Sequence, residues 1–490
     1  MGFRPPGGRG RQRDLSCPDI RFISGGNRVI PADLLAEATA HVDAGRFFTE
    51  LAALVGYPTV SDHPDGRAAI EAYLDQALVP ALTELGCETE VHPNPDPAGG
   101  PFLVAIRQEA PDLPTVLCYG HADVVDGHTG QWREGRDPWT LSADGDRWYG
   151  RGAADNKGQH LINLTALRLL LEHRGSLGFS LKFLFETGEE TGSPGLAEFA
   201  AQHRDLLRAD VLIASDGPRL DAATPTLFLG ARGAARIALD VDLRPDGYHS
   251  GNWGGLLRNP ATTLAGAISC LVDGHGRIQV PELLPAELPD TVRTALEGVT
   301  VANSPGDPVP DEGWGAPGLT PAERLYGWNT LEVLSLGAAD IERPVNAIPG
   351  RARAMLQLRH VTGTDVGGAA EAITKHLAAR GFSMVGVTVE STFPASRTPV
   401  DDPWARWAHR TLAEVVTGPV ALLPSFGGGL PNHVFTDVLG LPTLWLPHSY
   451  PGCLQHAPDE HLLAPVAREG LVLATALFHA LGQRGKAARR

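Results

Sequence analysis

Strand-like apolar runs alternate with helix-like stretches through the first half of this 490-residue chain. The apolar runs are FLVAI at 102–106, TVLCYG at 115–120, LKFLF at 181–185 and DVLIAS at 210–215, and helical patterns cover 33–55, 68–85 and 157–173. Strands that alternate with helices predict an α/β sheet with helices on both faces. In such sheets ligands bind at the carboxyl ends of the strands, so the residues that follow each run are candidates for chemistry.

Side chains that bind hard metal ions follow several of these runs. Five short strings carry them: His121-Ala-Asp123, Asp155-Asn156-Lys157-Gly158, Glu189-Glu190, Asp216 and His456. Imidazole nitrogens and carboxylate oxygens together suit a zinc-like dication. All the strings except those of Asp155 and His456 come at the end of a predicted strand. The set therefore predicts a metal site at one edge of the sheet.

Each string also has an ordinary structural interpretation when it is taken alone. Asp and His are common in turns after strands, Asp155 stands where a helix N-cap would, and Glu189-Glu190 fits a solvated acidic turn. Adjacent carboxylates nevertheless repel each other unless cations or solvent compensate them. A metal site would give the two glutamates different roles, since one would bind metal and the other would accept a proton from water.

The sequence from about 229 to 394 has a different pattern, which indicates a separate α+β domain. Residues 235–244 and 351–359 alternate as half-exposed antiparallel strands do, and 300–326 is rich in Pro and Gly, as a loop or insertion would be. The α/β pattern then resumes, so 31–228 and 395–484 are predicted to form one discontinuous domain. His456 can join the metal site only if this last part returns to the first. Residues 1–30 are predicted to be a disordered extension.

Composition excludes some classes of function. The net charge is 41 − 57 = −16 with His counted as neutral, which argues against a nucleic-acid-binding surface. The five cysteines are widely spaced and form no C-x-x-C, so a disulfide framework is not expected. No apolar stretch approaches ~18 residues, so no membrane span is expected. A cytoplasmic protein is the default expectation.

Taken in order, the strings H-A-D, G-R-G-A-A-D-N-K-G, E-E-T-G-S, S-D-G and H-A-P-D-E resemble a known family. It is the co-catalytic di-zinc peptidase and deacylase family of carnosinases, carboxypeptidase G, aminoacylases and succinyl-diaminopimelate desuccinylase. The resemblance runs from about 45 to 480 and is closest to the dipeptidase-like members. It implies a zinc-peptidase-like catalytic domain, a mixed sheet with helices on both faces, and an inserted α+β lid and dimerisation domain at 229–394.

The resemblance also implies a role for each residue of the strings. One Zn²⁺ would be bound by His121, Asp155 and Asp216, and a second by Asp155, Glu190 and His456, with Co²⁺ or Mn²⁺ as possible substitutes. Glu189 would be the general base and acid, and Asp123 would orient His121. The peptide bond after the bridging aspartate would be cis, which here is Asp155–Asn156.

Residues of the predicted lid resemble the family's substrate-binding positions. His249, in GYHSGNWGG, would stabilise the oxyanion of its own active site or of the partner's in a homodimer. Asn346 and Arg359 would hold the substrate, with Arg359 placed to bind a terminal carboxylate. FGGGLP resembles a loop whose backbone lines the carboxylate end, formed here by Gly428 and Gly429. Gly429 stands where the family usually has Ser, so any hydroxyl contact is lost.

The sequence therefore predicts a metal-dependent amide-bond hydrolase, acting as a dipeptidase or exopeptidase on small peptides with a free carboxylate. A deacylase of N-acyl amino acids, of the acetylornithine deacetylase or desuccinylase type, would use the same residues and stays open. A non-catalytic binding homologue is a further alternative. The natural substrate, the physiological metal and the role of 300–326 are not determined by the sequence.

Overall fold

A computed structural model describes residues 30–63, 66–302 and 307–487. The predicted N-terminal extension lies outside the described residues except for Ile30. In chain order the strands are β1 (Glu88–His92), β2 (Phe102–Arg107), β3 (Thr115–His121), β4 (Ser142–Asp144), β5 (Arg147–Tyr149), β6 (Ser180–Glu186), β7 (Val211–Ala214), β8 (Thr226–Phe228), β9 (Gly230–Ala231), β10 (Gly233–Asp242), β11 (Tyr248–His249), β12 (Thr330–Gly337), β13 (Ala347–Ile348), β14 (Arg351–His360), β15 (Gly386–Phe393), β16 (Ser396–Arg397), β17 (Ala421–Leu423), β18 (Thr443–Trp445) and β19 (His461–Leu463).

The α-helices are α1 (Ala32–Asp43), α2 (Arg46–Val55), α3 (Gly66–Tyr73), α4 (Val79–Glu84), α5 (Lys157–Arg174), α6 (Leu196–Gln202), α7 (Arg204–Leu207), α8 (Ser250–Trp253), α9 (Pro260–Leu271), α10 (Asp290–Ala295), α11 (Pro321–Gly327), α12 (Ala369–Ala378), α13 (Pro403–Ala413) and α14 (Ala464–Ala487). Among the helices of the described ranges, none has the length and apolar character needed to cross a membrane.

One large sheet carries the predicted metal site at its edge. Its eight strands have the order β1-β2-β6-β3-β7-β18-β8-β17. Strand β3 is parallel to β6 and β7, and β18 is parallel to β7. The carboxyl ends of these strands therefore meet at the same edge. Because β17 and β18 belong to the C-terminal part of the chain, that part returns to the first sheet.

Helices cover both faces of the large sheet, as the alternation of buried side chains along β3 shows. Val116 and Cys118 pack into one core, with residues of α1, α2, α5, α13 and α14. Leu117 and Tyr119 point to the opposite face and pack into a second core with α6. Successive side chains of a strand point to opposite faces, so a run that is apolar at every position has to be covered on both sides.

The second sheet is smaller and antiparallel, with the order β12-β14-β10-β15. One face packs against α9 and α12 through a core of its own, which includes Ile237 and Leu356. Strand β12 is an edge strand, and its apolar side chains Val333, Leu334 and Leu336 are exposed. Since this sheet is built from the chain between two parts of the first, the predicted fold class, an α/β catalytic domain with an inserted α+β domain, is confirmed.

The structure differs from the sequence pattern locally in three places. The helix predicted over 33–55 is two helices, since Gly45 between them has a φ of 74°, a left-handed conformation that glycine adopts without strain. The middle of the helix predicted over 68–85 is π-helical at Leu74–Leu78. The predicted loop 300–326 includes most of α11, which begins after Thr320 in a capping box with Glu323.

Candidate metal centre

The predicted ligands lie together at the carboxyl edge of the large sheet. His121 is the last residue of β3, and Asp216 comes two residues after β7. Glu189 and Glu190 begin a 3₁₀ turn shortly after β6. Since β3, β6 and β7 are neighbours, these loops converge above the same edge.

His121, Asp155 and Asp216 form one possible ligand set. Each offers a ligand atom, and these atoms lie within 4.8 Å of one another. The Nε2 atom of His121 is 3.0 Å from Oδ1 of Asp155 and 3.9 Å from Oδ2 of Asp216. All three residues are buried.

Asp155, Glu190 and His456 form a second set by the same distance criterion. The Nε2 atom of His456 is 3.2 Å from Oδ2 of Asp155 and 3.1 Å from Oε2 of Glu190. Asp155 therefore presents Oδ1 to one histidine and Oδ2 to the other. The side chain of His456 is 57% exposed, so the centre opens to solvent on this side.

The Asp155 side chain is not an N-cap. The N-cap of α5 is Asn156, and no side chain of the described residues caps this helix. The Asp155 carboxylate instead contacts the two histidines and accepts a hydrogen bond from Gln455 at 3.0 Å. The Asp155–Asn156 peptide bond is cis, as the resemblance implies.

The electrostatics of the site fit bound cations. Burial and the nearby carboxylate of Asp155 raise the pKa of Asp216 to about 7, although His121 opposes this. Burial and the carboxylates of Asp216 and Glu190 raise the pKa of Glu189 well above its usual value. Two buried oxygens, Oδ2 of Asp216 and Oε1 of Glu190, have no hydrogen-bond partner among the described residues. Buried carboxylate oxygens need a partner, and a dication held by these residues would supply it.

Asp123 organises the ligands without belonging to either set. Nδ1 of His121 lies 3.1 Å from the main-chain oxygen of Asp123 and 3.5 Å from its Oδ1. A carbonyl oxygen only accepts, so this contact places the ring proton on Nδ1 and leaves Nε2 free for a metal. The same carboxylate accepts hydrogen bonds from the backbone N–H groups of Glu189 and Glu190, both at 3.2 Å.

Glu189 differs from its neighbour in its surroundings. Neither ligand set includes it. Within the described part of the chain its carboxylate has no hydrogen bond, and only its backbone N–H is held, by Asp123. This carboxylate is therefore free to contact a water or a substrate.

Glu460 is a residue of the candidate site that the sequence prediction missed. Its carboxylate is fully buried and accepts hydrogen bonds from the backbone N–H groups of Ala154 and Asp155 at 2.9 and 3.0 Å. It also pairs with Arg151 at 2.7 Å, and Arg151 donates to the carbonyl of Ala457. Glu460 thus ties the loop of Asp155 to the loop of His456. The signal was present, because Glu460 lies in the H-A-P-D-E string.

The loop that carries His456 has an uncommon backbone. Leu454, His456 and Asp459 all have φ values near 60°, which costs a non-glycine residue roughly 1–3 kcal/mol where the conformation is strained. The carboxylate of Asp459 accepts a hydrogen bond from the backbone of Arg133 at 3.0 Å and pairs with its guanidinium at 3.1 Å. These contacts and those of Glu460 hold the loop in place.

The predicted substrate-binding residues lie in two places. Arg359 is on β14. Its Nη1 atom is 4.0 Å from the position that a Cβ atom on Gly429 would occupy, so Arg359 lies beside the loop that contains Gly428. His249 and Asn346 lie elsewhere, around the pairing of β11 with β13, where the carbonyl of Asn346 accepts a hydrogen bond from the backbone of Ser250. Both are exposed, and neither forms a hydrogen bond or ion pair with the candidate metal ligands within the described ranges.

The Glu460 contacts lead to a prediction about metal affinity. Glu460→Gln removes the charge that compensates buried Arg151, at a cost of about 3–5 kcal/mol, and loosens the Asp155 loop. Metal affinity should fall about 10- to 100-fold, as measured by competition with a chromophoric chelator.

Glu323→Gln is the matched control, because Glu323 also pairs with an arginine, Arg293, at 2.7 Å and is 5% exposed, but lies in the inserted part of the chain. It should lower the melting temperature and leave metal affinity unchanged. Unchanged affinity in both variants would contradict the role given to Glu460.

Comparison with known proteins agrees with this geometry. A sequence profile of peptidase family M20/M25/M40 matches residues 117–481. The cysteinylglycine-S-conjugate dipeptidase of Corynebacterium striatum is 29% identical over 376 residues, which cover 74% of this chain and 76% of that protein. The Beta-Ala-His dipeptidase of Mus musculus is 34% identical over 194 residues, only 39% of either chain.

The fold is also that of solved structures. Human carnosine dipeptidase 1 superposes with a TM-score of 0.73 at 23% identity, covering 92% of this chain and 99% of that one. The profile match spans most of the chain and includes both ligand sets. The chain therefore belongs to peptidase family M20/M25/M40 and is a metallopeptidase.

Proposed function

We propose that this enzyme is a di-zinc dipeptidase that hydrolyses the peptide bond of small peptides with a free carboxylate. One observation carries the proposal: a single buried carboxylate, Asp155, presents one oxygen to each of two histidines. This arrangement supports two metal ions with a shared ligand. The names of the relatives, which include a cysteinylglycine-S-conjugate dipeptidase and a Beta-Ala-His dipeptidase, support the dipeptide substrate.

The ligands follow from the two sets. His121, Asp155 and Asp216 would hold one Zn²⁺, and Asp155, Glu190 and His456 the other, with Co²⁺ or Mn²⁺ able to replace zinc. Nitrogen and oxygen donors without thiolates suit all three ions. When bound, such ions polarise a scissile carbonyl and lower the pKa of water.

Glu189 is the general base and acid of the proposed reaction. It accepts a proton from the attacking water and later donates it to the leaving amine. Its free carboxylate and its place beside the ligand sets support this assignment. Asp123 positions it through the backbone of the 3₁₀ turn and also orients His121.

Arg359, Asn346, Gly428 and Gly429 would bind the substrate. A guanidinium can hold a carboxylate through two parallel hydrogen bonds, and Arg359 lies beside the FGGGLP segment at 426–431, the glycine loop. A Cβ at Gly429 would stand 3.6 Å from the ring of Phe393, an ordinary contact. Steric contacts therefore do not require glycine at position 429. The absence of a side chain leaves more room at the carboxylate end.

The inserted domain would form a homodimer, and His249 would act across it. Three observations support this: β12 is an edge strand with exposed apolar side chains, His249 is exposed, and His249 forms no hydrogen bond or ion pair with the metal ligands within the described ranges. A paired edge strand would cover the apolar side chains. The histidine of one protomer would then stabilise the oxyanion in its partner.

Substitution of the base separates binding from chemistry. Glu189→Gln should keep both metal ions, since Glu189 is not a ligand, and lower kcat by about 10²- to 10⁴-fold. Metal content and kcat should be measured on the same preparation. Glu198→Gln, on the exposed face of α6, is the control and should behave like the wild type. Activity of Glu189→Gln close to that of the wild type would rule out this base.

A substrate panel tests the reaction class. Metal removal by a chelator should abolish turnover, and zinc, cobalt or manganese should restore it. The restored enzyme should show a higher kcat/KM for dipeptides than for N-acetyl and N-succinyl amino acids. The opposite order would make the enzyme a deacylase, and no turnover of either series would make it a binding homologue. Activity that survives chelation would contradict the metal mechanism.

Complementation tests the action of His249 across the dimer. Glu189→Gln and His249→Ala should each be inactive alone. In a mixed dimer, one of the two sites would combine an intact Glu189 with an intact His249 from the other protomer. Co-expression should thus restore about a quarter of wild-type activity in a random mixture of two-fold dimers. If His249 acts within its own protomer, activity is not restored.

A further inference from the structure

A second arginine, Arg232, lies at the glycine loop beside Arg359. Arg232 stands between β9 and β10 and is 5% exposed. Its Nε and Nη2 atoms both donate to the carbonyl of Gly427, at 3.2 and 3.0 Å, and its backbone N–H donates to the carbonyl of Phe426 at 3.0 Å. Arg232 therefore holds the backbone of the first two residues of the loop, Phe426 and Gly427.

Arg232 and Arg359 lie on the same face of the second sheet. Arg359 is paired with Ala234 across β10 and β14, and residues two apart in an extended chain point the same way. Burial and the positive charge of Arg359 lower the pKa of Arg232 to about 10, although Tyr326 and Glu332 oppose this. The two guanidiniums are thus close enough for their charges to oppose each other.

Neither guanidinium has an acidic partner within ion-pair distance among the described residues. The Nη1 atom of Arg232 is buried and lacks a hydrogen-bond partner there, although a buried charge is normally paired. The chain carries a net charge of −16, so acidic side chains are plentiful elsewhere. Two unpaired arginines at one loop favour an anionic ligand.

We propose that Arg232 is a positioning residue for recognition of the substrate's free carboxylate. By holding the carbonyl of Gly427, it sets the backbone of Gly428 and Gly429 against the guanidinium of Arg359. Its unpaired charge makes the same place favourable for an anion. This inference rests on the proposed function in one respect, that the substrate's carboxylate lies at the glycine loop.

The residue type matters for this role. The fork of a guanidinium donates two hydrogen bonds to one carbonyl in a fixed geometry, whereas the ammonium of lysine is a flexible point charge. Arg232→Met removes both the anchor and the charge. Arg232→Lys keeps the charge and weakens the anchor, so it separates the two contributions.

The test compares a dipeptide with its C-terminal carboxamide on metal-loaded enzyme. Arg232→Met should raise KM for the dipeptide about tenfold, with a smaller change in kcat, and should leave kinetics for the carboxamide nearly unchanged. The preference for the carboxylate then falls about tenfold, equivalent to about 1.4 kcal/mol. Arg232→Lys should recover part of this preference. Arg236→Met, an exposed arginine on β10, is the control and should keep all of it.

A binding measurement makes the result independent of hydrolysis. Titration of metal-loaded wild-type enzyme with L-alanine and with L-alaninamide should show tighter binding of L-alanine, and Arg232→Met should remove most of that difference. If Arg232→Met weakens both probes equally, or changes neither, the inference is wrong, even if the enzyme cleaves dipeptides. If the wild type cleaves no dipeptide yet prefers L-alanine through Arg232, the proposed function fails and the inference stands.

Discussion

The carboxylate of Asp155 is the contact on which the rest of this molecule depends. It is buried, and its two oxygens face the imidazoles of His121 and His456. Burial alone would raise the pKa of Asp155, but the two histidines hold it well below its usual range. A charged group is retained here at a cost in desolvation. That cost is offset only if segments separated by hundreds of residues are brought together.

The architecture follows from that requirement. The parallel strands β3 and β7 deliver His121 and Asp216 to one edge, and the return of the C-terminal part brings His456 to the same place. Glu460 then links the loops of Asp155 and His456 through buried hydrogen bonds. The candidate metal ligands are thus held by the core and by each other, so that little of the proposed site would have to be ordered on metal binding.

The two ends of the proposed active site have opposite electrostatic character. Carboxylates dominate the metal centre, where the pKa values of Asp216 and Glu189 are raised. Two arginines that have no acidic partner within ion-pair distance among the described residues, Arg232 and Arg359, converge on the glycine loop. In the proposed complex, the scissile carbonyl of a dipeptide would lie near the metal centre and its carboxylate near the glycine loop. The proposed orientation of the substrate follows from this difference of charge.

The sequence by itself determined the ligand types and the strand ends that carry them, because local apolar patterns predict β3, β6 and β7 and because His121 and Asp216 directly follow such strands. It also predicted that the last segment must rejoin the first sheet. It did not reveal the break at Gly45 or the capping box before α11, and it missed Glu460 and Arg232. Their roles depend on partners far away in the chain, Arg151 and the carbonyl of Gly427. Only tertiary structure decides such contacts, since a buried charge acquires its function from the groups that surround it and not from its neighbours in sequence.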